Sequence, residues 1–133
     1  MNLLLIEDDA IERMKFQRVL SKIDSKHILT EAKNGEEAIS LLNSNHNLPD
    51  IILLDLNMPR MNGIEFLEKL SLHKKIKYIP IIILTTSENR DDLLECYKIG
   101  VAGYIIKPLK YEDYETKIKL VLNYWDINEL VKA

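Results

Sequence analysis

Short apolar runs punctuate this chain, and each one ends in a residue that carries chemistry. Leu3-Leu4-Leu5-Ile6 leads into Glu7-Asp8-Asp9, and Ile51-Ile52-Leu53-Leu54 leads into Asp55. Ile81-Ile82-Ile83-Leu84 leads into Thr85, and Tyr104-Ile105-Ile106 leads into Lys107. Amphipathic stretches separate the runs, and that alternation predicts βα units around a parallel sheet. If the runs are parallel strands, the residues that follow them all emerge at one edge of one sheet. Several carboxylates, a hydroxyl and an ammonium on one edge are the inventory of a site for a divalent cation and a phosphoryl group.

The amphipathic stretches fill in the remaining elements. Ile11, Met14, Val19, Leu20 and Ile23 recur at mostly helical spacing after the first run. His27 to Ala32 is the candidate second strand and the most polar of the five. Lys33-Asn34-Gly35 supplies a turn, and Glu36 to Leu42 reads as a short helix with Ala38, Ile39 and Leu42 inward. Ser44 to Pro49 is a polar loop. Met58 to Gly63 is a second loop, in which Pro59 fixes one φ and Gly63 permits a positive one. The helix beyond it is expected to bury Ile64, Leu67 and Leu70. Ser87 is expected to cap the next helix, with Leu93, Leu94, Tyr97 and Ile99 inward and Gly100 as its terminator. The last helix places Tyr114, Ile118, Val121, Leu122 and Trp125 on one face. The whole chain, residues 1–133, is expected to form one domain of five strands and five helices, with no output domain.

Composition narrows the function classes. With 133 residues, 47% of them hydrophobic and 29% charged, the chain can bury a proper core. A net charge of -3 lacks the basic balance of a nucleic-acid binder. No apolar run approaches the ~20 residues that cross a bilayer, and no charged leader or cleavage site precedes the first strand. The single cysteine, Cys96, cannot form an internal disulfide, so a reduced, cytoplasmic setting is the default expectation. Cys96 reads as a small packed side chain. His27, His46 and His73 show no metal-ligand spacing.

The runs LLLIEDD, ILLDLNMPRMNG, IPIIILTTS and GYIIKP together resemble the receiver domain of two-component response regulators. Spacing strengthens the resemblance: Asp55 to Thr85 is 85−55=30 residues and Thr85 to Lys107 is 107−85=22. The terminal Asn123-Tyr124-Trp125-Asp126 is also similar to stand-alone receivers that partner bacterial phytochrome kinases. The resemblance implies a flavodoxin-like, doubly wound α/β sheet in the order 2-1-3-4-5, with the site at the carboxyl edge. It implies that Asp55 accepts a phosphoryl group from a sensor histidine kinase or phosphotransfer protein. Glu7 and Asp8 would help to hold Mg²⁺, Thr85 would sense the phosphoryl group, Lys107 would pair with it, and Tyr104 would be the switch aromatic. The Lys107–Pro108 bond is left open between cis and trans; cis occurs at only ~5–6% of X-Pro bonds, and the resemblance raises that figure.

The chemistry fits that implication. Glu7, Asp8 and Asp55 would be crowded acids, whose repulsion raises at least one pKa and is relieved by a hard dication. Mg²⁺ takes octahedral oxygen ligands; Asp8, Asp55 and the main-chain carbonyl of Asn57 would supply three, with Glu7 acting through water. Asp9 reads as a helix N-cap rather than a ligand. Thr86 would narrow access to Asp55, while Asn57 and Ser87 flank the pocket. Ordinary alternatives stay open for single residues: solvated acids at strand ends, a surface lysine, a β-favouring threonine, a buried strand tyrosine. Trp125 reads as core, whereas Tyr124 with Tyr111 and the fourth helix forms a candidate contact surface, including a homodimer through the last helices. The leading function is a phosphorylation-dependent switch that signals by protein–protein contact. Its rivals are a degenerate receiver acting as a constitutive binding module, a Mg²⁺-dependent aspartyl-phosphate hydrolase, and a flavoprotein. The hydrolase lacks a second acid at Asn57, and an acidic edge would repel the flavin phosphate.

Overall fold

Each apolar run becomes a strand, and the stretches between them become the helices that cover the sheet. The computed structural model describes residues 1–23, 26–44 and 47–131. Its strands are β1 (Asn2–Ile6), β2 (Ile28–Ala32), β3 (Ile51–Leu54), β4 (Ile81–Thr85) and β5 (Gly103–Ile106). The helices are α1 (Ala10–Lys22), α2 (Gly35–Ser44), α3 (Gly63–Ser71), α4 (Arg90–Ile99) and α5 (Tyr111–Asp126), with one 3₁₀ turn at Lys74–Ile76. All strand pairs are parallel and the order is β2-β1-β3-β4-β5. The expected flavodoxin-like sheet is therefore the one found. His46, placed by the sequence in a polar loop, lies outside the described residues.

The apolar runs are unbroken because both faces of the sheet are covered. Alternate side chains divide between two cores. Leu4, Ile6, Ile52, Leu54 and Ile83 pack with Ala38, Leu42, Leu67, Leu70 and Cys96 from α2, α3 and α4. Leu3, Leu5, Ile51, Leu53, Ile82 and Leu84 pack with Phe16 and Val19 of α1 and Tyr114, Ile118 and Leu122 of α5. Each of the larger apolar side chains among them (Leu, Ile, Val, Phe) contributes about 1.5–3 kcal/mol by leaving water, so the central strands are held from both sides. Among the described residues, no helix is long and apolar enough to cross a membrane.

Several local expectations are corrected. Ile11 and Met14 of α1 face solvent; Phe16, which the apolar spacing passed over, is the buried residue beside Val19. On α4, Leu94 and Tyr97 are 49% and 52% exposed, and the inward centre of the helix is Cys96. The α4 N-cap is Asn89, whose Oδ1 accepts from the Asp91 and Asp92 amides, so the helix starts later than a Ser87 cap would place it. Ser87 instead donates its hydroxyl to Asp92 Oδ2 at 2.8 Å and accepts from the Asn89 amide at 3.3 Å. Gly63 does not use the positive φ its loop was expected to need; among the described residues that conformation falls to Gly100, in the left-handed C-cap of α4. The Lys107–Pro108 bond is trans.

Cys96 yields a direct check on this packing. It is fully buried, and burial pushes its thiol up to about 11, with Asp92 and Glu95 adding to the effect. The reactive thiolate is therefore both rare and inaccessible. A thiol reagent at neutral pH should label the native protein only as fast as it unfolds, whereas the denatured chain reacts at once. Rapid labelling of the native protein would contradict the α4 packing described here.

Candidate functional site

Sheet register assembles the site. The chain passes from β1 outward to β2 and then returns to place β3 on the other side of β1, which opens a crevice at the carboxyl ends of β1 and β3. Ile6 pairs with Leu54, so Glu7 and Asp55 leave the sheet side by side. The ladder continues past both: the Asp55 amide donates to the Ile6 carbonyl at 3.1 Å and the Glu7 amide to the Ala32 carbonyl at 3.0 Å. One carboxylate oxygen from each of Glu7, Asp8 and Asp55 lies within 4.8 Å of the others. Glu7 and Asp55 are buried, and Asp8 is exposed.

Lys107 enters from the end of β5, where its amide donates to the Thr85 carbonyl at 2.7 Å. Its ammonium is buried and stands 2.7 Å from Glu7 Oε1, 3.4 Å from Glu12 Oε2 and 3.8 Å from Asp55 Oδ2. Burial opposes its charge, but Asp55, Glu7 and Glu12 outweigh burial and hold its pKa above the ordinary lysine value. The surface-lysine alternative is thereby excluded. Glu7 is pushed up to about 7, first by burial and then by Asp55, with Lys107 pulling the other way. The edge thus carries more negative charge than one ammonium can balance.

Those acids fit a hard divalent cation. Every donor is an oxygen, the exposed Asp8 leaves room for retained waters, and the raised Glu7 marks charge that a dication would relieve. Glu7 has little capacity left for direct ligation, since Oε1 is held by Lys107 and Oε2 accepts the Asp9 amide at 3.3 Å. The Asn57 amide folds onto Asp55 Oδ1 at 3.1 Å, which fixes the carboxylate and the following loop together. Asp9 is the α1 N-cap, its carboxylate accepting from the Ile11 and Glu12 amides.

The switch candidates flank this cluster. Thr85 ends β4, fully buried, its hydroxyl accepting from the Ser87 amide at 3.3 Å. Tyr104 on β5 is half-buried and donates its hydroxyl to the Ser87 carbonyl at 3.0 Å. Burial raises the phenol above its ordinary value, so it remains a donor. Both side chains therefore converge on Ser87 in the β4–α4 connection. Thr86 is exposed and accepts from the Asn57 side-chain amide at 2.8 Å, a bridge across the rim of the site.

Other candidates fall elsewhere. His27 meets the amino terminus at 3.1 Å and His73 meets Asn43 at 2.8 Å, both away from the acids. Tyr124 is 57% exposed and stands edge-on to Trp125 at 5.2 Å, but Tyr111 does not join it on a free face. Tyr111 packs instead against Tyr114, with Arg18 and Lys22 of α1 over its ring. Sequence reasoning missed Glu12. The available signal was periodicity: positions 12, 16, 19 and 23 share one helical face, so an acid there continues the stripe of Phe16 and Val19 toward the sheet edge.

Known proteins carry the same architecture. The chemotaxis protein CheY homolog of Campylobacter jejuni is 34% identical over 122 residues, which cover 92% of this chain and 92% of that protein. The phosphorylated cyanobacterial phytochrome response regulator RcpA superposes with a TM-score of 0.91 at 29% identity, over 98% of each chain. The Mn²⁺-bound form of response regulator Rcp1 superposes with a TM-score of 0.89 at 29% identity, over 98% of this chain and 99% of that one. The family model described as "Response regulator receiver domain" matches residues 3–119. Flavodoxin-like topology, an acidic carboxyl edge with a buried lysine, and these matches lead to one assignment: the chain belongs to the response regulator receiver domain family of two-component systems.

Proposed function

We propose that this chain is a phosphoacceptor switch in which Asp55 takes a phosphoryl group from a sensor histidine kinase or phosphotransfer protein. The observation that carries the reading is the buried Lys107 ammonium, shared among Glu7, Glu12 and Asp55 where β1, β3 and β5 end together. An Asp55 oxygen attacks phosphorus, the bond to the donor's imidazole nitrogen breaks, and an acyl phosphate forms. Such a transfer needs positioning and charge neutralisation more than covalent assistance. Lys107 supplies one positive charge beside the acceptor oxygen, and the Asn57 amide orients the carboxylate. Asp8, Asp55 and the Asn57 carbonyl would hold Mg²⁺, with Glu7 acting through water. When bound, the ion supplies charge neutralisation to the transferring group.

Readout follows from β4 and β5. A phosphoryl oxygen gives the Thr85 hydroxyl a new acceptor. Thr85 and Tyr104 both contact Ser87, so a change at Thr85 is passed to the β4–α4 connection. Exposed Leu94 and Tyr97 on α4 and Leu120 and Tyr124 on α5 supply apolar surface for a downstream protein or a second copy. The charge of -3 argues against nucleic acid as the target, and the proposed setting is cytoplasmic. The switch is a signalling element; its chemistry is limited to its own phosphorylation and dephosphorylation.

Incubation with Mg²⁺ and acetyl phosphate, followed by intact-mass measurement, tests the reading. One phosphoryl group should add to the native protein and none to Asp55→Ala. No gain, or a gain that survives Asp55→Ala, overturns it, and the former result points to a constitutive binding module.

A further inference from the structure

We infer that Glu12 is a positioning residue that competes with Asp55 for the Lys107 ammonium and so sets how readily the site accepts a phosphoryl group. The inference rests on the phosphoacceptor reading above. Glu12 is the third residue after the Asp9 cap, where an acid commonly folds back onto the cap's own amide. Here that amide is taken by Glu7 Oε2, so the Glu12 carboxylate is free to extend. Oε1 reaches Lys15 at 3.4 Å. Oε2 is buried without a hydrogen bond, and the nearby charge that compensates it is the Lys107 ammonium at 3.4 Å. Phe16 and Val19, buried on the same helical face, fix that direction.

Lys107 is consequently shared unevenly. It makes a short hydrogen bond to Glu7, while Asp55, at 3.8 Å, lies farther away than Glu12. A phosphoryl group on Asp55 brings new oxygens and more negative charge, and Lys107 must turn toward them. Glu12 then loses its partner and adds its own repulsion. Both effects disfavour the phosphorylated state, so removing the Glu12 carboxylate should favour it.

The test is calorimetric titration of the full chain with beryllofluoride, a phosphoryl mimic, in saturating Mg²⁺. Glu12→Gln should bind it roughly fivefold more tightly than the parent, with no gain in affinity for Mg²⁺ alone. Glu12→Asp keeps the charge and its repulsion but is too short to reach Lys107, and should bind more tightly than the parent and less tightly than Glu12→Gln. Unchanged beryllofluoride affinity in Glu12→Gln, or Glu12→Asp matching the parent, overturns the positioning role while the phosphoacceptor reading stands. A parent protein that binds no beryllofluoride and gains no mass from acetyl phosphate overturns both.

Discussion

Lys107→Met should lower the stability of the metal-free protein by about 3–5 kcal/mol, and Mg²⁺ should restore most of the loss. The lysine side chain is 5% exposed, and its partners Glu7 and Asp55 are 3% and 8% exposed. Methionine fills similar volume, so the packing term is small. What remains is a pair of buried carboxylates without their cation, the situation in which breaking a buried pair costs most. Glu7 can escape by taking a proton, which gives the effect a pH signature. Its folded value of about 7 already exceeds the ordinary glutamate value of 4.5. Between those values the folded state holds a proton that the unfolded state has released. Stability of the metal-free parent therefore falls as pH rises across that window, by up to ~3 kcal/mol. Without Lys107 the window extends upward, so the variant should be hurt less near about pH 5 than near about pH 8. Urea denaturation in a chelator at the two pH values, repeated with Mg²⁺, measures all of this. Equal Mg²⁺ stabilisation of parent and variant would show that Lys107 does not balance these acids.

The same cluster shows which parts of the molecule could be read from the chain. Strand ends were legible because the apolar runs are short, continuous and followed at once by polar chemistry; the step from Leu54 to Asp55 fixes both the strand and the acid. Parallel register then brings Glu7, Asp55 and Lys107 together without further information, since each follows the last residue of its strand. Helix faces were less legible. On α4 the eye follows the large residues Leu94 and Tyr97, yet the side that meets the core is the one carrying Cys96 and Ile99, centred on a small thiol. Ser87 and Asn89 are both capping residues two positions apart, and the choice depended on a tertiary contact, since the Ser87 carbonyl receives the Tyr104 hydroxyl. Glu12 was hidden for a different reason. An acid in the first turn of a helix is ordinary, and only the location of Lys107, ninety-five residues later (107−12=95), makes it part of a site.

Gly63→Ala should cost about 3 kcal/mol or more and disturb the site as well, whereas Gly100→Ala should cost about 1–2 kcal/mol and leave the site intact. The two glycines are needed for different physical reasons. Gly100 sits at φ +117 in the C-cap of α4 with open space around it, so an added methyl meets only backbone strain. Gly63 has no positive φ, but its missing Cβ would lie 2.5 Å from the Leu56 carbonyl oxygen and 2.8 Å from the Leu56 Cα. Those neighbours are backbone atoms and cannot rotate aside. Relief requires α3 to move off the chain that directly follows Asp55, and Leu56 and Asn57 move with it. The Asn57 amide then loses its hold on Asp55 Oδ1, and its carbonyl leaves the position proposed for the metal. Gly63→Ala should accordingly show a lower unfolding midpoint, weaker Mg²⁺ binding and slower mass gain from acetyl phosphate, all three together. Thermal denaturation and Mg²⁺ titration of both variants measure the contrast. Gly63→Ala protein as stable as Gly100→Ala, or destabilised with unaltered Mg²⁺ affinity, would mean that the α3 start does not brace the loop beside Asp55.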